Sequence, residues 1–311
     1  MPALTLAEQT ALRGILRDTQ QRWARVGLRP YQFGAEGADL KFNGSILEMA
    51  MMPGLISVPE ISDPNSPTPV MQGPRPQVVR YRRRTWRAGV RYLDELELDD
   101  RIGYYRRLVR GLSEALEYSL ELLYHEPFIR ALDNTYVGGW DRKHLLDTTH
   151  LLLGSGTYNN KRAYVAPTDT VLEDIQLYFD TTPDPYGRPV PVSRIMLFTS
   201  QKLFYKFKQI LQARTAIINP VTSGAVNPNP NIPSVVETER FVLVGSPYLN
   251  QINNGDVYFA LGAGHNLFLA KAFSRERMFK KDDPPSTQHE VWWSGNVGWF
   301  DATQVLGYIG S

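Results

Sequence analysis

Cysteine is absent from all 311 residues. That excludes disulfide frameworks, thiolate metal sites and cysteine nucleophiles, and it makes a reducing cytoplasm the easier home. Long apolar runs are absent too. No window approaches the roughly 18 uninterrupted apolar residues of a spanning helix. The best candidate, Val257 to Phe273, is broken by His265, Asn266 and Lys271. The opening MPALTLAEQTALRG has no basic stretch leading into an apolar one, so no signal peptide is expected and the chain reads as soluble. There is no large excess of charge of either sign: 34 Lys plus Arg face 32 Asp plus Glu, and a net charge of +2 does not call for a polyanionic partner. Lysine is scarce, with 9 against 25 arginines. What the chain does have is 42% hydrophobic and 21% charged residues, which suits one large domain or two ordinary ones and excludes disorder.

Proline is abundant and clustered, with seven of the 22 between Pro53 and Pro76. Each fixes φ and removes a donor, so PEISDPNSPTPVMQGPRP sustains neither a helix nor a central strand and reads as an excursion from the body. Before it, Thr5 to about Ala24 has a capping pair (Thr5, Glu8) and an apolar stripe (Leu12, Ile15, Leu16, Trp23), predicting an amphipathic helix that packs on the main body or on another chain. After it, Val78 to Leu93 alternates, with Trp86, Ala88, Val90 and Tyr92 on one face and Thr85, Arg87, Gly89 and Arg91 on the other. A strand returning from a proline-rich tip predicts a protruding hairpin.

Asp99 to about His125 carries the strongest helical periodicity (Ile102, Tyr105, Leu108, Val109, Leu112, Ala115, Leu116, Leu120, Leu123). Asp99 and Asp100 suit the positive end of its dipole, and Pro127 is expected to stop it. HLLDTTHLLLGSGTYNN reads as strand and turn, Thr168 to Phe179 as a helix, and Val190 to Phe198 as a strand. Ser200 to Ala213 reads as a helix with Ser200 as N-cap, and Asn219 to Pro233 as an exposed loop. Strands follow at Arg240–Gly245, Val257–Leu261, Asn266–Ala272, His289–Trp293 and Val297–Ala302. The mixture is α+β.

Chemistry is sparse. His144, Asp147 and His150 have residue types that hold metals. Their segment favours a strand, which puts successive three-residue steps on opposite faces, so ordinary polar residues near a turn are preferred and no cofactor is expected. Asp169, Glu173 and Asp174 sit where a helix dipole favours acids anyway. Phosphate-loop, serine-elbow and zincin motifs are missing, and Gly262-Ala263-Gly264 lacks the following helix a phosphate loop needs. No enzyme is expected. The strongest cluster is cationic: Arg75, Arg80, Arg82, Arg83, Arg84, Arg87 and Arg91, with Tyr81 and Trp86 interleaved and no acid between. Asp94, Glu95, Glu97, Asp99 and Asp100 follow at once. Adjacent patches of opposite sign suit head-to-tail contact between copies, because the arginine fork grips a carboxylate bidentately. A strand that stacks nucleic-acid bases on its aromatics is the alternative.

Taken in order, these parts resemble the major capsid proteins of tailed bacteriophages, with the Hong Kong 97-like fold also seen in encapsulin shells. The succession TVLEDIQLYF, DPYGRPVPVSRIMLFTSQKLF, VVETERFVLVGSPYLNQINNGDVYFAL and HEVWWSGNVGWFDATQVLGY carries the resemblance. It implies an N-terminal arm (1–42), an extended loop (43–93), a peripheral domain (94–184) with spine helix 99–125, an axial domain (185–272), and C-terminal strands (273–311) returning to the peripheral domain. Asn219, Asn227, Asn229 and Asn231 would lie in a loop toward the capsomer axis. The implied function is self-assembly through pentamers and hexamers into an icosahedral virion shell, built in the host cytoplasm around phage double-stranded DNA. Arg80, Arg82, Arg83, Arg84, Trp86, Arg87 and Arg91 would meet Asp94, Glu95, Glu97, Asp99 and Asp100 of a neighbour. An encapsulin-like compartment is the alternative. Implied partners are a portal, a decoration protein and, because only some forty residues precede the loop, a separate scaffold or none. In the best-known member a lysine on the extended loop forms a covalent crosslink. Between Asn43 and Leu93 this chain has none, so a non-covalent shell is expected.

Overall fold

The computed structural model describes residues 26–34, 39–42, 44–51, 77–93, 103–152, 156–183, 192–218, 238–282 and 285–310. The amphipathic helix expected at Thr5–Ala24, Arg75, the acidic residues Asp94 to Asp100 and the asparagine loop Asn219–Pro233 lie outside them. A 3-10 turn (Val26–Leu28) and a short helix α1 (Arg29–Phe33) lead into strand β1 (Asp39–Lys41). Strands β2 (Ile46–Met51) and β3 (Gln77–Arg82) pair antiparallel, and β4 (Arg84–Leu93) follows. The expected strand Val78–Leu93 is thus broken at Arg83, whose amide bonds the Ser45 carbonyl, and its two halves join different sheets.

The spine helix α2 runs Tyr104–Ile129, 26 residues or about 40 Å. Two features differ from expectation. Gly103, with φ at 68°, precedes the helix, so no acid lies in its first turn, and Asp99 and Asp100 lie outside the described residues. Pro127 does not stop the helix. It sits in the last turn, where the amide it lacks costs one bond, and the helix closes two residues later with the Arg130 amide on the Glu126 carbonyl. Two short strands, β5 (His150–Leu151) and β6 (Thr157–Tyr158), form the predicted strand and turn, and β7 is Lys161–Ala163.

Helix α3 (Asp169–Thr181) starts at Thr168, whose hydroxyl takes the Val171 amide. Strand β8 (Ile195–Ser200) leads directly into α4 (Gln201–Ile218). Ser200 is not the cap: it ends the strand, and its hydroxyl donates to the Gly255 carbonyl. Asn250 Oδ1 takes the Lys202 amide instead. Next come β9 (Phe241–Ser246), β10 (Val257–Gly262), β11 (Leu267–Asp282), β12 (Pro285–Trp299) and β13 (Val305–Ile309). The strands expected at His289–Trp293 and Val297–Ala302 are largely the single strand β12, and β13 is additional. The strand expected to end at Ala272 runs on for ten residues, so a boundary at 272/273 cuts through β11. A bulge between Lys271 and Phe273 breaks the alternation there, which makes one strand read as ended.

Five strands form a mixed sheet in the order β7-β13-β10-β8-β9. Its apolar runs IMLF, VYFAL and VLGYI are buried on both faces. Met196, Phe198, Phe259 and Val305 face α2, whereas Ile195, Leu197, Tyr258 and Leu306 face α3 and α4. A second sheet, β1-β11-β12-β4, presents Val291, Trp293 and Val297 to the same core as Leu112, Leu116 and Leu120 of α2. The spine helix therefore welds the two sheets together. The last strand, β13, pairs with β10, so the chain ends in the sheet of residues 195–262.

Candidate assembly surfaces

The strand pair β2–β3 is held to the body by Tyr81. Its hydroxyl donates to the Trp299 carbonyl at 2.6 Å and accepts the amides of Gly139 at 3.1 Å and Trp299 at 3.3 Å. Burial raises this phenol to about 12. The ring lies against Gly298, where a Cβ would come within 2.5 Å of it, and packs edge-on to Phe268. A small cluster of Leu47, Phe268 and Ala270 completes the joint.

The structure sorts the arginine cluster. Arg80 meets Glu48 on the loop, both well exposed, a pairing that contributes little to stability. Arg82 is exposed, and its carbonyl accepts from Asn296. Arg83 reaches the Gly44 carbonyl at 3.3 Å. Arg84 pairs with Glu126 of the spine helix and lies over Trp86. Trp86 itself is half-buried 5.2 Å from Trp293, on the sheet face that packs against α2. On the opposite face Arg87 grips both oxygens of Glu290 at 2.9 Å, and Arg91 donates to Ser286. Trp292 and Gln288 also donate to Glu290, and these bonds, Arg87 foremost, hold its carboxyl below the usual range.

Glu290 and Trp292 escaped the reading of the sequence, as did Arg275 and Arg277, which share their face. The signal for the first two was the alternation of HEVWWSGN, which puts Glu290 and Trp292 on one side and Val291 and Trp293 on the other. The histidine and carboxylate types at 144–150 form pairs: His150 Nδ1 lies 2.6 Å from Asp141, and His144 lies 3.5 Å from Asp147. Among the described residues no group of three or more His, Asp or Glu is placed to hold a metal, and no helix is long and apolar enough to cross a membrane.

No protein-family model matches the chain, and no curated protein matches it in sequence. Solved structures do match. A chain of the cyanophage Pam1 capsid is 14% identical with a TM-score of 0.56, over 92% of this chain and 93% of that one. The mature capsid of bacteriophage PhiM1 gives 10% and 0.53, over 88% and 84%. The SrpI encapsulin complex of Synechococcus elongatus gives 10% and 0.51, over 93% and 88%. Likeness at this identity is one of fold: the chain has the Hong Kong 97-like α+β capsid fold.

Proposed function

We propose that the protein is the structural subunit of a phage capsid, a non-enzymatic chain that assembles with copies of itself into a closed shell around double-stranded DNA. The observation that carries this is coverage. Capsid chains match nearly end to end in both directions, so the likeness spans most of this chain and most of those chains. Physics supports it as well. A patch pair repeated by rotation closes into rings, and many weak contacts acting together stabilise a shell that no single contact would. The strand pair β2–β3, rooted at Tyr81, lies where the resemblance puts an extended loop, an element that would add contact area on a neighbour. Place of action would be the virion, after assembly in the host cytoplasm, with a portal, a separate scaffold and a decoration protein as further partners.

Negative-stain microscopy of the purified chain tests the reading, with closed particles as the expected result and a monomer at every concentration as the opposing one. A second reading, an encapsulin-like compartment, is favoured by the SrpI match and by a virus-like particle from Pyrococcus furiosus matched over 96% of this chain. Nuclease-protected DNA inside particles made during infection supports the phage reading; particles holding protein cargo support the compartment.

A further inference from the structure

The sheet β1-β11-β12-β4 has two unlike faces beyond the bulge. One packs on the spine helix. The other holds Arg87 and Arg275 opposite Trp292, Arg277 opposite Glu290, and Arg91 and Phe279 opposite Gln288. All four arginines are exposed, and Phe279 is 41% exposed. The guanidiniums of Arg87 and Arg277 lie over the Trp292 ring at 4.3 and 4.9 Å. Glu290, the one carboxylate among the described residues of this face, is already occupied by Arg87, Trp292 and Gln288. Arg91, Arg275 and Arg277 have no carboxylate partner among the described residues.

Arginine stacked on tryptophan beside an exposed phenylalanine ring is the composition of an interface hot spot. The chain itself contains the complementary charge, five acids between Asp94 and Asp100. The chain that leaves β4 at Leu93 re-enters the described structure at Gly103, at the head of the helix packed on the opposite face. The arginine face of the same molecule stays exposed.

We propose that this arginine–tryptophan face is the docking surface for the acidic segment 94–100 of a second copy. The inference rests on the shell reading, because it needs copies side by side. It adds which surfaces meet, and it moves the cationic partner from the Arg80–Arg84 end of the strand to a face completed by Arg275 and Arg277. Guanidinium forks on carboxylates give the contact its direction, and Trp292 holds the Arg277 fork in place.

The test uses two full-length variants, Arg275→Glu with Arg277→Glu, and Asp94→Lys with Glu95→Lys and Glu97→Lys. Both are expected to keep the wild-type circular dichroism and to need roughly a hundredfold higher concentration to assemble, about tenfold for each lost arginine pair. An equimolar mixture is expected to sediment as a heterocomplex that neither forms alone, which a contact within one chain could not produce. If both variants assemble at the wild-type concentration, or the mixture stays dissociated, the inference is overturned while wild-type shells leave the shell reading standing. Normal shells from the arginine variant, with loss of a salt-sensitive affinity for duplex DNA, would assign the face to nucleic acid and overturn it too. A wild-type chain that never associates removes both readings.

Discussion

Tyr81 shows how one side chain can anchor a strand pair to the body. Its hydroxyl answers three backbone groups of two separate segments, and Gly298 gives the ring its seat. Tyr81→Phe keeps the ring and removes the oxygen, leaving two buried amides and a carbonyl without it. The expected cost is about 2–3 kcal/mol of stability, read as a lower midpoint in thermal or urea unfolding. Faster proteolysis between residues 51 and 77 should accompany it. A variant as stable as wild type would mean that water satisfies those groups and that the strand pair is anchored by packing alone. From the sequence, Tyr81 reads only as an aromatic among arginines. Its partners lie 58 and 218 residues away, and no local pattern reports a bond of that reach.

At the scale of elements, segment 26–33 is clasped by buried polar groups. The Gly27 amide donates to Glu121, the Tyr31 hydroxyl donates to the Tyr124 carbonyl, and His265 Nε2 donates to the Pro30 carbonyl at 2.7 Å. His265 Nδ1 accepts the Leu267 amide, so its ring is neutral. His125 is fixed likewise between the Glu121 carbonyl and the Ser246 hydroxyl, with the Glu121 carboxylate 3.8 Å away. Burial lowers both imidazoles from 6.5 to about 4. Below pH 6.5 the unfolded chain binds protons that the folded chain refuses, so stability is full above that pH and falls as pH drops toward 4. The loss is on the order of 3 kcal/mol for each histidine and levels off below pH 4. Thermal midpoints between pH 7 and pH 4 measure it, and His265→Gln should flatten the slope, leaving the share of His125, His144 and His289, which burial also lowers. An unchanged slope in that variant would exclude His265 as a contributor. Helices α2 and α3 were legible because their apolar spacing is regular. The strand ends were not: the bulge at Lys271/Phe273 interrupts one pattern, and Pro127 suggests a stop that tertiary packing and a helix end two residues later make cheap.

At the scale of the whole molecule, the order of parts was readable and the pairing was not. Arginine over lysine and proline in one block both pointed to residues 43–93. The face completed by Arg275 and Arg277 appears only once the register of β11, β12 and β4 is known. Near-zero net charge conceals this polarity, and polarity governs how copies would hold together. Without cysteine, and without lysine between Asn43 and Leu93, neither a disulfide nor a lysine bond from the loop is available. Charge-assisted contacts weaken as salt shortens the screening length from about 10 Å at 0.1 M to about 3 Å at 1 M, whereas apolar burial does not. Particles assembled at low salt should therefore dissociate or soften as sodium chloride approaches about 1 M, followed by light scattering, and heating in SDS should release a single 35.3 kDa chain. A ladder of covalent multimers would refute the non-covalent reading. Particles indifferent to salt would assign the cohesion to apolar contacts, leaving the arginine face without its role.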